Sequence, residues 1–223
     1  MQFKHWMAGA ATLAAFTCVQ AQVVVSESFV NVPLLTSASW VQTNNSVSPA
    51  SSPAWFQGNT AVFSAPSGTA DGYAGVSYAG TNAATGGVSS WLITPQFAFL
   101  GTSSVSFQVR AAGEGFLDTL EARLSISGSS SNVGATPTSL GDFGTLLGTY
   151  SSSTDAGWVT RTYNFAGVST GRIAFRYVVA DVATAGNYMG LDNVTITTIP
   201  EPGSYALFAL GLAGVMLRRR LSK

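Results

Sequence analysis

Apolar side chains recur at every second residue along most of this chain, and that spacing limits its fold more than any other feature. In Thr119 to Ile126, Leu120, Ala122, Leu124 and Ile126 fall on one face, and Glu121, Arg123 and Ser125 on the other. Ile173, Phe175, Tyr177 and Val179 repeat the pattern within Arg172 to Ala180. Similar runs occupy Val23 to Val30, Gly72 to Tyr78, Ser104 to Arg110, Trp158 to Phe165 and Gly190 to Thr198. Successive side chains of a strand point to opposite faces, so a period of two predicts half-buried antiparallel strands. No stretch between Gln22 and Thr198 sustains the 3.6-residue period of an amphipathic helix. Segments rich in Ser and Gly, such as Ser127 to Asn132 and Ser151 to Gly157, supply the connections. About eight to ten strands within residues 22–198 predict an all-β fold, an antiparallel two-sheet sandwich of jelly-roll topology, because two packed sheets cover their apolar faces without a helix layer. The absence of an internal repeat argues against a solenoid or propeller. A length of 223 residues suits one domain of this kind.

The charges are few and unevenly placed. Between Gln22 and Thr198 the cations are Arg110, Arg123, Arg161, Arg172 and Arg176, against nine acids, an excess of four negative charges. That segment contains no lysine and no basic stripe to neutralise phosphates, which argues against a nucleic-acid partner. The single histidine, His5, and the single cysteine, Cys18, lie in the first 21 residues. A domain made of residues 22–198 therefore excludes Ser-His-Asp and Cys-His catalysis, zinc sites built on Cys or His, and thiol redox chemistry. Its stability has to come from packing, without disulfides.

Both ends differ from the middle. Lys4, an apolar run from Trp6 to Phe16 and the closing Val19-Gln20-Ala21 have the layout of a secretory signal peptide, which predicts cleavage by signal peptidase after Ala21. An apolar run of about eleven residues falls short of the roughly 20 that span a bilayer, which disfavours an N-terminal anchor. A lipid-modified Cys18 is the alternative, although Ala15-Phe16-Thr17 is a poor match to the small residues that precede such a cysteine. At the other end, Pro200-Glu201-Pro202-Gly203 precedes an uncharged, mostly apolar stretch from Ser204 to Leu217 and then Arg218-Arg219-Arg220. The prolines end the strand body. A helix over Ser204 to Leu217 reaches only about 21 Å against a hydrocarbon core of about 30 Å, a marginal span. The three arginines would hold that end on the cytoplasmic side and leave the folded part outside.

Pro200-Glu201-Pro202, the short apolar helix and the terminal arginines, in that order, resemble a PEP-CTERM sorting signal. The resemblance implies recognition of the tripeptide by an exosortase-type transpeptidase in the inner membrane, processing of the tail, a Gram-negative host that makes exopolysaccharide, and an envelope, biofilm-matrix or secreted location. A plain single-span anchor is the alternative. The body of the chain resembles the choice-of-anchor J family, whose jelly-roll domain is related to adhesin and MAM-type modules. The residues that carry this likeness are Glu27-Ser28-Phe29, Trp91-Leu92-Ile93-Thr94-Pro95, Ser104-Val105-Ser106-Phe107, Trp158, Arg172-Ile173-Ala174-Phe175-Arg176-Tyr177 and Gly190-Leu191-Asp192-Asn193-Val194-Thr195-Ile196. The domains expected are thus a signal peptide over 1–21, a β-sandwich over 22–198 and a sorting signal over 199–223.

Three groups of residues are candidates for chemistry. Glu27 in the first strand and Asp192 in the last would repel if neighbours, unless a cation lay between them. A calcium ion bound by Glu27, Asp192, backbone carbonyls and Asn193 fits that need, whereas a solvated Glu27 and a turn-capping Asp192 form the simpler alternative. Glu114, Asp118 and Glu121 could supply the carboxylate pair of a glycosidase, or belong to a solvated loop. Trp40, Trp55, Trp91 and Trp158, with Tyr73, Tyr78, Tyr150 and Tyr188, could form a sugar-stacking platform; Trp91 and Trp158 suit the core, and Trp55 and Tyr73 are expected to be the exposed ones. The reading is a non-enzymatic exported surface or exopolysaccharide-matrix protein of structural or adhesive role. A carbohydrate-binding module or glycoside-active enzyme on the same scaffold is the alternative.

Overall fold

The computed structural model describes residues 20–200 and Gly211; the leader through Val19 and the tail from Glu201, Gly211 apart, lie outside the described residues. Ala21–Pro200 forms one compact unit. Its ten strands are β1 (Gln22–Glu27), β2 (Val41–Asn44), β3 (Trp55–Gln57), β4 (Ala74–Ser77), β5 (Val88–Ile93), β6 (Phe97–Ala111), β7 (Asp118–Ser125), β8 (Thr145–Ser152), β9 (Val159–Val179) and β10 (Tyr188–Pro200). Every strand pairing is antiparallel. A first sheet has the order β3-β4-β10-β6-β9, with β1 lying on the stretch of β10 that β4 leaves free. A second has the order β2-β5-β9-β7-β8. The fold is the two-sheet jelly roll that the alternation predicts.

The 21-residue β9 belongs to both sheets. Its first part, through Gly171, pairs with β6; from Arg172 onward it runs between β7 and, from Ala174, β5. Sequence periodicity breaks this strand in two, because Ala166-Gly167-Val168-Ser169-Thr170-Gly171 does not alternate. The glycines explain the difference. Gly167 has φ +136, and a side chain on Gly171 would collide with the Ser125 carbonyl oxygen, so the strand crosses between sheets where only glycine fits. The exposed edge strand β8 has no apolar alternation to betray it, and the short edges β2 and β3 likewise escape periodicity.

Between the sheets lies a core that includes Leu92, Val105, Phe107, Val109, Leu120, Phe175, Tyr177 and Leu191. Phe107 and Phe175 meet edge to face at 5.0 Å across the two sheets. Two satellite clusters cover the outer faces. Over the second sheet, the β7–β8 connection lays Val133, Leu140 and Phe143 on Trp91, Ile93 and Ala174. Over the first, Phe63, Tyr73 and Tyr188 pack with Phe56 and Trp158. Small residues in the sheet make room for them, since a side chain at Gly190 would strike Trp158, Phe63 and Tyr73.

Gly171→Ala is expected to lower stability by about 2–3 kcal/mol, because backbone rather than a flexible side chain occupies the space. Urea unfolding of the two proteins measures it.

Candidate functional site

A carboxyl is held far from its ordinary ionisation where β10 changes partner. On one side β10 pairs with β6 throughout. On the other it pairs with β4 at Tyr188 to Leu191 and with β1 at Val194 to Thr198. One extra residue between Asp192 and Thr195 makes a bulge against β6, and Asn193 there has φ +51. At this fork Glu27 stands opposite Val194, two residues from Asp192. Asp192 is 1% exposed; its Oδ1 accepts the Asn193 N–H at 2.6 Å, and its buried Oδ2 has no hydrogen-bond partner. Burial, reinforced by the Glu27 charge, pushes the Asp192 carboxyl up to about 7. Glu27 is half-buried and accepts the N–H of Phe29, which has φ +50, at 2.8 Å. The first and last strands thus bring Glu27 and Asp192 to one place, as expected. The Asn193 side chain is engaged elsewhere, its Nδ2 donating to Gln108 Oε1 at 2.6 Å and to Ser67 Oγ at 3.4 Å.

Two carboxylates of the middle segment, Asp118 and Glu121, are held apart. Asp118 and Glu121 are three residues apart on β7 and therefore face opposite sides of the second sheet. Asp118 is buried against the core, where Oδ1 accepts the Tyr177 hydroxyl and, at 2.8 Å, the Asn187 N–H; its Oδ2 has no partner. Burial raises its pKa. Glu121 lies under the β7–β8 connection, with Oε2 accepting from Arg123 at 2.7 Å and Arg176 at 3.0 Å. Burial opposes ionisation there, but the two guanidiniums outweigh it and hold the carboxyl below its usual range. Glu114 binds the Asn187 side chain at 3.2 Å. Each of these acids is engaged in an anchoring contact, and Asn187 joins two of them, its backbone N–H on Asp118 and its side chain on Glu114.

The aromatic residues correct the sequence reading. Trp55 is 1% exposed and Tyr73 is 0% exposed, so the two chosen as surface candidates are core residues. Trp55 sits on a three-residue edge strand in a polar setting, yet the edge folds under the sandwich and contributes it to the main core. Tyr73 is buried with its hydroxyl satisfied, donating to the carbonyls of Asn59 at 2.9 Å and Phe63 at 3.0 Å. Trp40, Trp91, Tyr150 and Tyr188 are buried as well, Trp158 is half-buried, and Tyr78 is exposed. A row of exposed tryptophan faces is absent among the described residues.

Sequence reasoning missed a groove of about 710 Å³ between the edge strands β2 and β3. Val32, Pro33, Trp40, Ala54 and Trp55 line it, with no charged side chain on its walls. Gln42 Oε1 accepts the Trp55 N–H at 3.0 Å and Gln57 Oε1 accepts the Val32 N–H at 2.9 Å, fastening one wall to the other. These residues are far apart in sequence and share no pattern, so only the folded edges reveal them.

Pro200 ends β10, opposite Gly101 of β6. Residues 198–220 match the PEP-CTERM protein-sorting motif. The chain carries a PEP-CTERM sorting signal. That signal implies export and sorting to the cell surface by way of an exosortase. Glu201, Pro202, Arg218, Arg219 and Arg220 of the motif, the apolar helix and the signal peptide lie outside the described residues. Among the described residues no helix is long and apolar enough to cross a membrane. The sandwich is similar to the K1 cleaved adhesin domain of Lys-gingipain from Porphyromonas gingivalis W83, with a TM-score of 0.56 and 19% identity over 80% of this chain and 98% of that one. The K3 domain of the same protein gives 0.52 and 17% over 80% and 99%, and its K2 domain 0.52 and 15% over 77% and 98%. These likenesses show the fold, a cleaved-adhesin jelly roll, in line with the choice-of-anchor J resemblance. No curated protein matches the chain.

In the presence of a chelator, the fork sets the sign of a pH effect. A carboxyl whose folded pKa lies near 7, above its unfolded value near 4, contributes stability that is full at low pH and lost as pH rises through that window. Melting temperature is therefore expected to rise as pH falls from about 7.5 to about 5, and Asp192→Asn is expected to flatten that slope.

Proposed function

We propose that this chain is a non-enzymatic structural or adhesive protein of the outer surface or exopolysaccharide matrix. Residues 22–198 are the displayed domain, 1–21 a signal peptide removed by signal peptidase, and 199–223 the tail an exosortase-type enzyme processes. The observation that carries the reading is the sorting motif over residues 198–220, which begins within the last strand of the sandwich. The inner membrane holds the chain at least transiently. The likeness in fold to adhesin domains of Lys-gingipain supports an adhesive role. The commitment of Asp118 and Glu121 to buried anchoring contacts supports a role without turnover.

Intact-mass spectrometry of the native protein from its host tests this. The expected species starts at Gln22, ends near Pro200 to Pro202, and fractionates with the surface or matrix. A full-length C-terminus in the membrane fraction would replace the processed tail by a plain anchor. Turnover of chromogenic glycosides that is lost on one carboxylate-to-amide change would make the chain an enzyme.

The same reading includes a structural calcium ion at the fork. The unpartnered Oδ2 of Asp192 and the adjacent Glu27 supply two anionic ligands of the kind calcium takes. Among the described residues no cluster of three or more Asp, Glu, His or Cys side chains accompanies them, so backbone carbonyls and waters would complete the six to eight oxygens. Asn193 takes part through its carbonyl oxygens only, its amide nitrogen being engaged. Calcium at about a hundred times its dissociation constant should stabilise the protein at neutral pH by roughly 2.7 kcal/mol. The thermal shift should vanish in Asp192→Asn; an unshifted wild-type melt removes the ion from the account.

A further inference from the structure

The exposed apolar side chains of the first sheet gather where the sorting tail departs. Leu100 of β6 stands directly opposite Val168 of β9, and Thr102 lies between Ala166 of β9 and Ile199 of β10. Val23 of β1 stands opposite Thr197 in the neighbouring row. All point away from the core, because the alternate residues Phe99, Ser103 and Phe165 are buried. Leu100, Ile199 and Val23 are exposed, and Val168 is 74% exposed. The outward positions between Ala98 and Ser106 of β6, and those facing them on β9 and β10, carry no charge. The opposite end of this sheet differs, bearing the Arg110–Asp155 ion pair at 2.6 Å.

A charge-free cluster of exposed apolar side chains at one end of a sheet is the kind of surface that marks a contact site. The sequence shows what lies next to it. Pro200 is the last residue of the sheet, and the apolar stretch of the sorting tail begins at Ser204. Four residues reach at most about 14 Å, while the headgroup layer on each side of a bilayer is about 5–7 Å thick. A tail seated in the membrane therefore holds this end of the sheet within reach of the lipid surface.

We propose that the tail-proximal outer face of the first sheet, centred on Leu100, Val168 and Ile199, rests on the lipid surface while the sorting tail is in the membrane. This inference rests on the membrane-held tail of the proposed function. The apolar side chains enter the interfacial layer, and the hydroxyls of Thr102 and Ser104 face the headgroups. With no cation on the face, the contact is insensitive to salt.

The test uses the chain after signal-peptide removal, residues 22–223, which holds no cysteine, with a single environment-sensitive dye at Val168→Cys, reconstituted into vesicles of phosphatidylethanolamine and phosphatidylglycerol. A matched chain carries the dye at Thr138→Cys, an exposed position in the connection over the other sheet. The expected result is blue-shifted emission at position 168 and several-fold stronger quenching by headgroup-level spin-labelled lipid than at position 138, unchanged in high salt. If the protein floats with the vesicles but both dyes stay equally wet, the tail is held and the lipid contact is refuted. A blue shift at position 168 that grows with protein concentration and ignores the lipid quencher refutes it in favour of a second copy. Failure to float at all overturns the membrane-held tail, and this contact with it.

Discussion

The passage of β9 from one sheet into the other is the constraint on which the sandwich depends. A single strand pairs with β6 in the first sheet and with β5 and β7 in the second, so the sheets share one continuous ladder instead of meeting only through side chains. The inner residues of that strand, Phe165, Ile173, Phe175 and Tyr177, then enter one core from both layers. Gly171 is the point of transfer, and its missing side chain is what lets Ser125 close the corner. Displacing that corner would shift the register of every core residue beyond it, since alternation ties each side chain's face to its position along the strand.

The few charges of the domain do structural work that lysine, histidine and cysteine do elsewhere. Arg176 lies over the Trp91 ring at 5.1 Å, bonds Glu121, and donates to the Pro137 carbonyl, while Arg123 reaches the Phe143 carbonyl at 3.3 Å. Glu121 thus sits between two arginines that fasten a long Ser- and Gly-rich connection over the second sheet. Removing the one acid would leave two buried cations facing each other, which costs far more than the net worth of the pair. Its two guanidinium partners keep Glu121 ionised and occupied, the opposite of the protonated state a general acid needs.

The fold was legible to the extent that alternation was continuous. β7, the second part of β9 and most of β10 present one apolar and one polar face, and their limits follow from that pattern. β8 and the short edges were not legible, because their fully buried side chains are too few to repeat: Tyr150 in β8 and Trp55 in β3 each stand alone, and β2 is half-buried throughout. The fork was partly legible. Two acids in the first and last strands point to each other once those strands are neighbours, but the bulge at Asn193 and the burial that leaves Asp192 Oδ2 without a partner arise from the switch between β4 and β1. Trp55 and Tyr73 misled because local polarity says nothing of what folds over a residue. The Tyr73 ring lies against Gly58, where a side chain would collide with it, a contact that only the folded chain reveals.

β10 joins the features that matter for display. It begins at Tyr188 in the aromatic cluster, carries Asp192 at the fork and ends at Ile199-Pro200, where the sorting motif takes over. It is an interior strand of its sheet, bonded to β6 along nearly its whole length and to β4 and then β1 on the other side. Because β10 lies between β6 on one side and β4 and then β1 on the other, freeing the C-terminal strand means breaking the bonds to both neighbours. An edge strand would peel away one bond at a time. A domain whose exit strand is central, and whose corner strand ties both sheets into one ladder, holds its C-terminal end through main-chain pairing, with no cysteine or lysine between residues 22 and 198.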